Sequence, residues 1–182
     1  MRKYNGTSHK DVNPQWLNCP DLTTSAADTT TSLEVQVPIA RVADANKSVV
    51  LEIFKVVAEI SGFPSSASAA EAIDTKTLVV GTRNGGTTNL TFNDGSTICS
   101  FNTSQRHAFS AGGTYNRIED SIIQEFNLQD GAGNGLLVGS DSIFLQLQST
   151  GYGVTITART KILYRFKTVS YVEWIGIVQS QQ

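Results

Sequence analysis

From Val154 to Thr168 polar and apolar side chains alternate almost without interruption. Val154, Ile156, Ala158, Ile162, Tyr164 and Phe166 fall on one side, and Thr155, Thr157, Arg159, Lys161, Leu163, Arg165 and Lys167 on the other. A period of two is that of a β-strand, and at ~3.3 Å per residue this one spans about 50 Å. Seven further segments read as strands: Leu33–Val42, Ser48–Ser61, Thr75–Thr82, Thr87–Phe92, 105–111, Ser121–Leu128 and Ser142–Ser149. Pro38 lacks a ladder donor, which places the first of these at a sheet edge or a bulge. Ser48–Ser61 is two-valued. Its polar residues Glu52, Lys55 and Glu59 fit a helical period, whereas its many β-branched residues favour a strand buried on much of both faces.

The segments between them are turn-forming. Arg83-Asn84-Gly85-Gly86 predicts a hairpin between Thr75–Thr82 and Thr87–Phe92, and the Gly-rich run 130–135 predicts a surface loop. Residues 65–74 are small and Ala-rich, which suits a short helical insertion. Ser170 followed by Glu173 matches a capping box and predicts a final helical turn carrying Trp174 and Ile175. Residues 1–30 show no sustained period and read as an extended N-terminal arm, leaving 31–182 as the domain. Short spacings and hairpin turns exclude βαβ units. The predicted fold is all-β, a single eight-stranded antiparallel jelly-roll sandwich with one short helical insertion.

The 182 residues suit one domain. Only 16% of them are charged, against roughly 25% in ordinary globular chains, and Thr, Ser, Asn, Gln and Gly take up the difference. Surfaces that meet other protein are poor in Lys and Glu in the same way. The net charge of −2 argues against a domain that binds polyanions as a whole. Arg2, Lys3 and Lys10 give the arm a modest basic character. Cys19 and Cys99, far apart in the chain, read as free thiols. No apolar run approaches the ~18 residues of a membrane span.

Catalytic and metal-binding patterns are absent from the sequence. His9 and His107 are the only histidines and have no partners at metal-ligand spacing. No nucleophile elbow, phosphate loop or dinucleotide fingerprint occurs. Asp130 and Asp141 flank the Gly-rich loop without the repeated acids that a calcium loop needs. The expectation is a protein with no enzyme activity, no metal and no cofactor. One charge constellation stands out: Arg159, Lys161, Arg165 and Lys167 share a face of one strand, with no acid among them. That face either meets phosphates, displacing counterions, or is exposed to solvent or paired with acids of a neighbouring strand or subunit. Trp16, Tyr152, Tyr171 and Trp174, aromatics in an arm, a turn and a tail, are candidate subunit-interface anchors.

The run Lys161-Ile-Leu-Tyr-Arg-Phe-Lys167 and the ending Glu173-Trp-Ile-Gly-Ile-Val-Gln-Ser-Gln-Gln182 resemble the C-termini of small capsid proteins of circular Rep-encoding single-stranded DNA viruses and related metagenomic viruses. Val37-Pro-Ile-Ala-Arg41 and Val50-Leu-Glu-Ile-Phe-Lys55 look like the opening strands of such proteins. The likeness is specific over the C-terminal region and loose elsewhere. It implies a coat protein of the virion, assembled inside the host cell from about 60 equivalent copies of itself. It also implies a single-stranded DNA genome within, an unidentified host receptor outside, and no membrane. Many members carry a long Arg-rich N-terminal arm, which this chain lacks, so Arg2, Lys3, Lys10 and the basic strand face become the candidate genome contacts. The alternative reading is a carbohydrate-binding or receptor-binding jelly-roll module, as in a spike or fibre head.

Overall fold

The computed structural model describes residues 13–26, 28–37, 46–62, 72–86, 90–107, 122–151 and 155–181. Within them lie ten strands: β1 (Gln15–Asn18), β2 (Leu22–Thr23), β3 (Thr30–Gln36), β4 (Lys47–Ser61), β5 (Ala72–Gly81), β6 (Thr97–His107), β7 (Ile122–Asn127), β8 (Leu136–Val138), β9 (Ser142–Thr150) and β10 (Thr157–Ser170). One helix, α1 (Tyr171–Ser180), follows.

All pairings are antiparallel. In one sheet the order is β1-β10-β4-β7, with β2 continuing the β1 lane along β10 and β8 continuing the β7 lane along β4. The other sheet runs β3-β9-β5-β6. With the split strands counted as lanes, each sheet is four lanes wide. Successive lanes in the chain alternate between the sheets except at the β5–β6 hairpin, which is the jelly-roll winding. The core lies between the sheets. Leu51, Ile53, Val56 and Ile162 from the first sheet face Leu78, Val80, Leu145 and Leu147 from the second, all buried.

The segment expected to be an arm contributes an edge strand. Trp16 pairs with Leu163 and Leu17 with Ile162, and Leu22 is buried beside Ala158. Its sequence is too short and too interrupted to show a period of two, but β10 offers a free edge that its backbone satisfies. Residues 1–12 lie outside the described residues. So does most of the helical insertion expected at 65–74, namely 65–71, while 72–74 begin β5. β3 takes the edge position anticipated from Pro38, although Pro38 itself is outside the described residues.

Two expected strands are displaced. The partner of β5 is Thr97–His107, not Thr87–Phe92. Of the latter segment, Leu90–Phe92 is irregular. Leu90 packs over Gly81 and donates its N–H to the Gln146 side chain at 3.1 Å, while Thr91 caps a turn by accepting the Asp94 N–H at 3.1 Å. A buried glutamine thus takes the hydrogen bond that a hairpin partner would have taken. Of the expected strand at 105–111, residues 105–107 are the far end of β6, and 108–111 lie outside the described residues. The N-cap half of the predicted capping box is present: Ser170 caps α1, accepting the Glu173 N–H at 3.2 Å.

Candidate assembly and nucleic-acid surfaces

β10 and β4 run side by side in the first sheet and set its outer face. Register fixes who meets whom: Arg159 opposes Glu59, Arg165 opposes Glu52 and Lys167 opposes Val50. Between Leu163 and Tyr164 the register shifts, and Phe54 on β4 is left without a partner. This bulge keeps Glu52 on the outer face together with Lys55 and Glu59. The Phe54 carbonyl accepts the Leu128 N–H at 2.8 Å, so the extra residue is satisfied by the next lane.

Three of the four basic residues of that face are engaged by acids of neighbouring strands. Arg165 donates through Nε to Glu52 Oε2 at 2.5 Å and lies over the Phe54 ring, 5.2 Å from its centroid. Lys167 Nζ is 3.6 Å from Glu52 Oε1, which also accepts the Gly135 N–H at 3.1 Å. Arg159 reaches Asp21 at 3.2 Å and Glu59 at 3.6 Å. Lys55 pairs with Glu125 at 2.5 Å. Among the described residues, only Lys161 of the four has no acidic partner. Lys55, Arg159, Lys161, Arg165 and Lys167 therefore face Asp21, Glu52, Glu59 and Glu125, and the face is close to neutral.

Glu52 is fully buried. Burial alone raises its pKa, but the Arg165 hydrogen bond, the Gly135 N–H and the charges of Lys167 and Arg165 together outweigh that effect and leave it below the usual carboxylate range. Asp94 is held low by the hydroxyl and N–H of Ser96 and by Arg83. Asp130 is held low by the side-chain amide and N–H of Asn134 and by the N–H of Ala132. Those three contacts, at 2.9, 3.0 and 2.9 Å, close the loop 130–135 on itself and use the carboxylate that a cation would need. Depressed folded-state values mean stability that is present above the ordinary values of 4.5 for Glu52 and 3.8 for Asp94 and Asp130. That stability is lost as the pH falls through the lower folded values. Urea midpoints measured between pH 7 and pH 2 are expected to stay level to about pH 4.5 and then fall. A midpoint level down to pH 2 would contradict the native-state pairing of these carboxylates.

The helix α1 crosses one end of the sandwich. Trp174, Ile177 and Val178 lie over Gly139, where a Cβ would stand 2.7 Å from Val178 and 3.5 Å from Ile177, so only glycine permits this approach. Gln181 locks the end of the chain, donating to the Leu137 carbonyl at 2.6 Å and accepting the Gly139 N–H at 3.1 Å. Tyr171 stacks on Trp174 with ring centroids 5.5 Å apart. No residue of α1 is buried, and Val172 is 80% exposed.

The candidate interface aromatics separate accordingly. Trp16 stands exposed beside Leu163 on the outer sheet face and Tyr171 is exposed on α1, whereas Trp174 is half-buried against the body. Tyr152, Arg2, Lys3 and Lys10 lie outside the described residues. The periodicity argument did not single out Ile123, 69% exposed on β7, or Val172 and Ile175 of α1. Isolated exposed apolar residues look like core residues until the sheet register is known. Cys19 and Cys99 are buried free thiols, both pushed up to about 12 by burial. Among the described residues no cluster of potential metal ligands occurs, and no helix is long and apolar enough to cross a membrane.

No family model and no curated protein matches the sequence. Several solved structures align with the chain. VP1 of Trichodysplasia spinulosa-associated polyomavirus is 12% identical, with 86% of this chain and 96% of that chain covered and a TM-score of 0.47. VP1 of Human Polyomavirus 12, solved with 3'-sialyllactosamine, is 10% identical over 80% of this chain and 83% of that chain, with a TM-score of 0.45. VP1 of Merkel Cell Polyomavirus, solved as an unassembled pentamer, is 11% identical over 78% of each chain, with a TM-score of 0.41.

Proposed function

We propose that this chain is a viral coat protein, a jelly roll that assembles with about 60 copies of itself into a virion shell around single-stranded DNA. The observation that carries the reading is where its uncovered apolar side chains lie. Trp16 and Ile123 on one sheet face, and Tyr171, Val172 and Ile175 on α1, are exposed on two separate surfaces, and the described cations of that sheet face are mostly paired with acids of neighbouring strands. Such patches on a sparsely charged domain suit protein partners. The C-terminal likeness to small single-stranded DNA virus capsid proteins supports the same reading.

The ion pairs narrow the genome contact. Arg159, Arg165 and Lys167 arrive at any phosphate already compensated, so the sequence-independent attraction falls chiefly to Arg2, Lys3 and Lys10. Replacing those three with Gln is expected to leave particles forming while the 260/280 nm absorbance ratio of the particle fraction drops to that of protein alone. Particles that still carry nucleic acid would remove this assignment. Uniform particles of the unaltered protein in negative-stain micrographs are the test of the coat-protein reading itself.

The second reading, a carbohydrate- or receptor-binding module, is favoured by one feature. A cleft of about 390 Å³ beside α1 is lined by Trp174, Thr82, Arg83, Ser140 and Gln181, an aromatic wall facing polar groups. A chain that stays monomeric at all salt concentrations, and loses glycan binding on Trp174→Ala, would establish this reading in place of the first.

A further inference from the structure

α1 has two faces with different surroundings. Trp174, Ile177, Val178 and Gln181 turn toward the body, and Val172, Ile175, Gly176 and Gln179 form the outward stripe at the helical spacing. Gly176 is the anomaly in that stripe. Glycine weakens a helix interior relative to alanine, yet a Cβ placed there would meet nothing within 4 Å. Among the described residues nothing approaches that position closely enough to require the missing side chain. It leaves a notch, flanked by Val172 and Ile175, through which another backbone or a large side chain can approach the helix.

A complementary surface lies on the same chain. On the outer face of the first sheet a groove of about 480 Å³ runs between β1, β10, β4 and β7, with Val57 and the exposed Ile123 among its walls and Lys161 and Arg159 at its rim. Arg159 is paired with Asp21 and Glu59, whereas Lys161 has no acidic partner among the described residues. Glu173 is the only charged residue of α1 and is exposed. The two surfaces match where they can meet: a stripe of Val172 and Ile175 beside Glu173, and a groove in which Val57 and Ile123 stand among Asn18, Thr160 and the Arg159–Asp21–Glu59 ion pairs, beside Lys161.

We propose that the outward stripe of α1 docks into this groove on a second copy of the chain, with Gly176 admitting Ile123 and with Glu173 pairing to Lys161. This deepens the coat-protein reading and rests on it. Lys161 and Ser170, the end of β10 and N-cap of α1, lie nine residues apart along the strand, about 30 Å at ~3.3 Å per residue. The donor and acceptor surfaces are therefore at opposite ends of the strand and cannot satisfy each other within one molecule. Between copies, such a contact made without reciprocation is head-to-tail, and a head-to-tail contact closes rings and shells instead of stopping at a dimer.

The test is assembly of the full chain, followed by light scattering and sedimentation. Lys161→Glu and Glu173→Lys are each expected to raise the concentration needed for assembly on the order of tenfold or more. The double variant, which restores opposite charges in swapped positions, is expected to return it to near the unaltered value. Glu173→Gln removes the charge with little effect on helix propensity and is expected to weaken assembly in the same direction, which separates the lost pair from a frayed helix. Gly176→Leu is expected to leave the thermal midpoint of the monomer unchanged or raised, and to abolish assembly. Single charge reversals that assemble normally, or a double variant no better than the worse single one, would overturn the contact while leaving the coat-protein reading intact. An unaltered chain that never assembles would overturn both.

Discussion

Glu52→Ala is expected to lower the stability of the unassembled domain by about 3 kcal/mol, near the lower end of the ~3–5 kcal/mol that follows removal of one partner from a buried ion pair. Arg165 and Lys167 converge on this fully buried carboxylate, which also accepts the Gly135 N–H. With it gone, two cations and one amide donor lose their shared acceptor. The lower end applies because the Arg165 side chain retains 23% exposure and can be partly rehydrated. At ~2–4 °C per kcal/mol for a chain of this size, the thermal midpoint should fall by about 6–12 °C. Replacing Glu52, Arg165 and Lys167 together by Met should recover much of the loss, since the desolvation of all three charges then disappears as well. A fall of under ~2 °C for Glu52→Ala would show that the triad is not a stability determinant.

Leu145→Ala is expected to be at least as damaging, at about 3–5 kcal/mol, within the range for truncating a buried leucine. Leu145 is completely buried on β9, between Leu33 of β3 and Val80 of β5. Neighbours on both sides are held by ladder hydrogen bonds, so the cavity cannot collapse freely. The matched control is Phe92→Ala, a larger side chain that is 67% exposed; a surface change of this kind falls within ~0.5 kcal/mol. Urea unfolding of dilute, unassembled protein measures both. Equal losses for the two variants would contradict the placement of the core.

The charge-paired sheet face was half legible. Alternation along β10 put Arg159, Lys161, Arg165 and Lys167 on one side, because a period of two is a local property of the strand. Their partners were not legible. Asp21, Glu52 and Glu59 lie 100 to 138 residues from their partners, in sequence that read as arm or as possible helix, and only register brings them opposite. The bulge explains the helix-like reading of residues 48–61. Glu52 and Lys55 are three apart because Phe54 is inserted between them, and Lys55 and Glu59 are four apart because the strand is regular there. A strand with one bulge and an amphipathic helix share that spacing. The β-branched content of the segment, and its partners in space, settle which one forms.

Local chemistry determined the all-β class, the lanes formed by β4, β5, β7, β9 and β10, and the capped C-terminal helix. In each case the decisive contact is made by side chains within a few residues or by a period repeated along one strand. Tertiary structure decided the rest. It recruited Gln15–Thr23 as an edge strand, since a free β10 edge must be paired wherever the donors come from. It moved the partner of β5 from Thr87–Phe92 to Thr97–His107, since Gln146, 56 residues away, takes the Leu90 N–H. Among the described residues it converted a row of four cations into a nearly neutral face with one unpaired lysine, and left the apolar stripe of α1 uncovered. Those outcomes depend on long-range register, which is the sum of many weak pairings across both sheets and is written in no single segment of the chain.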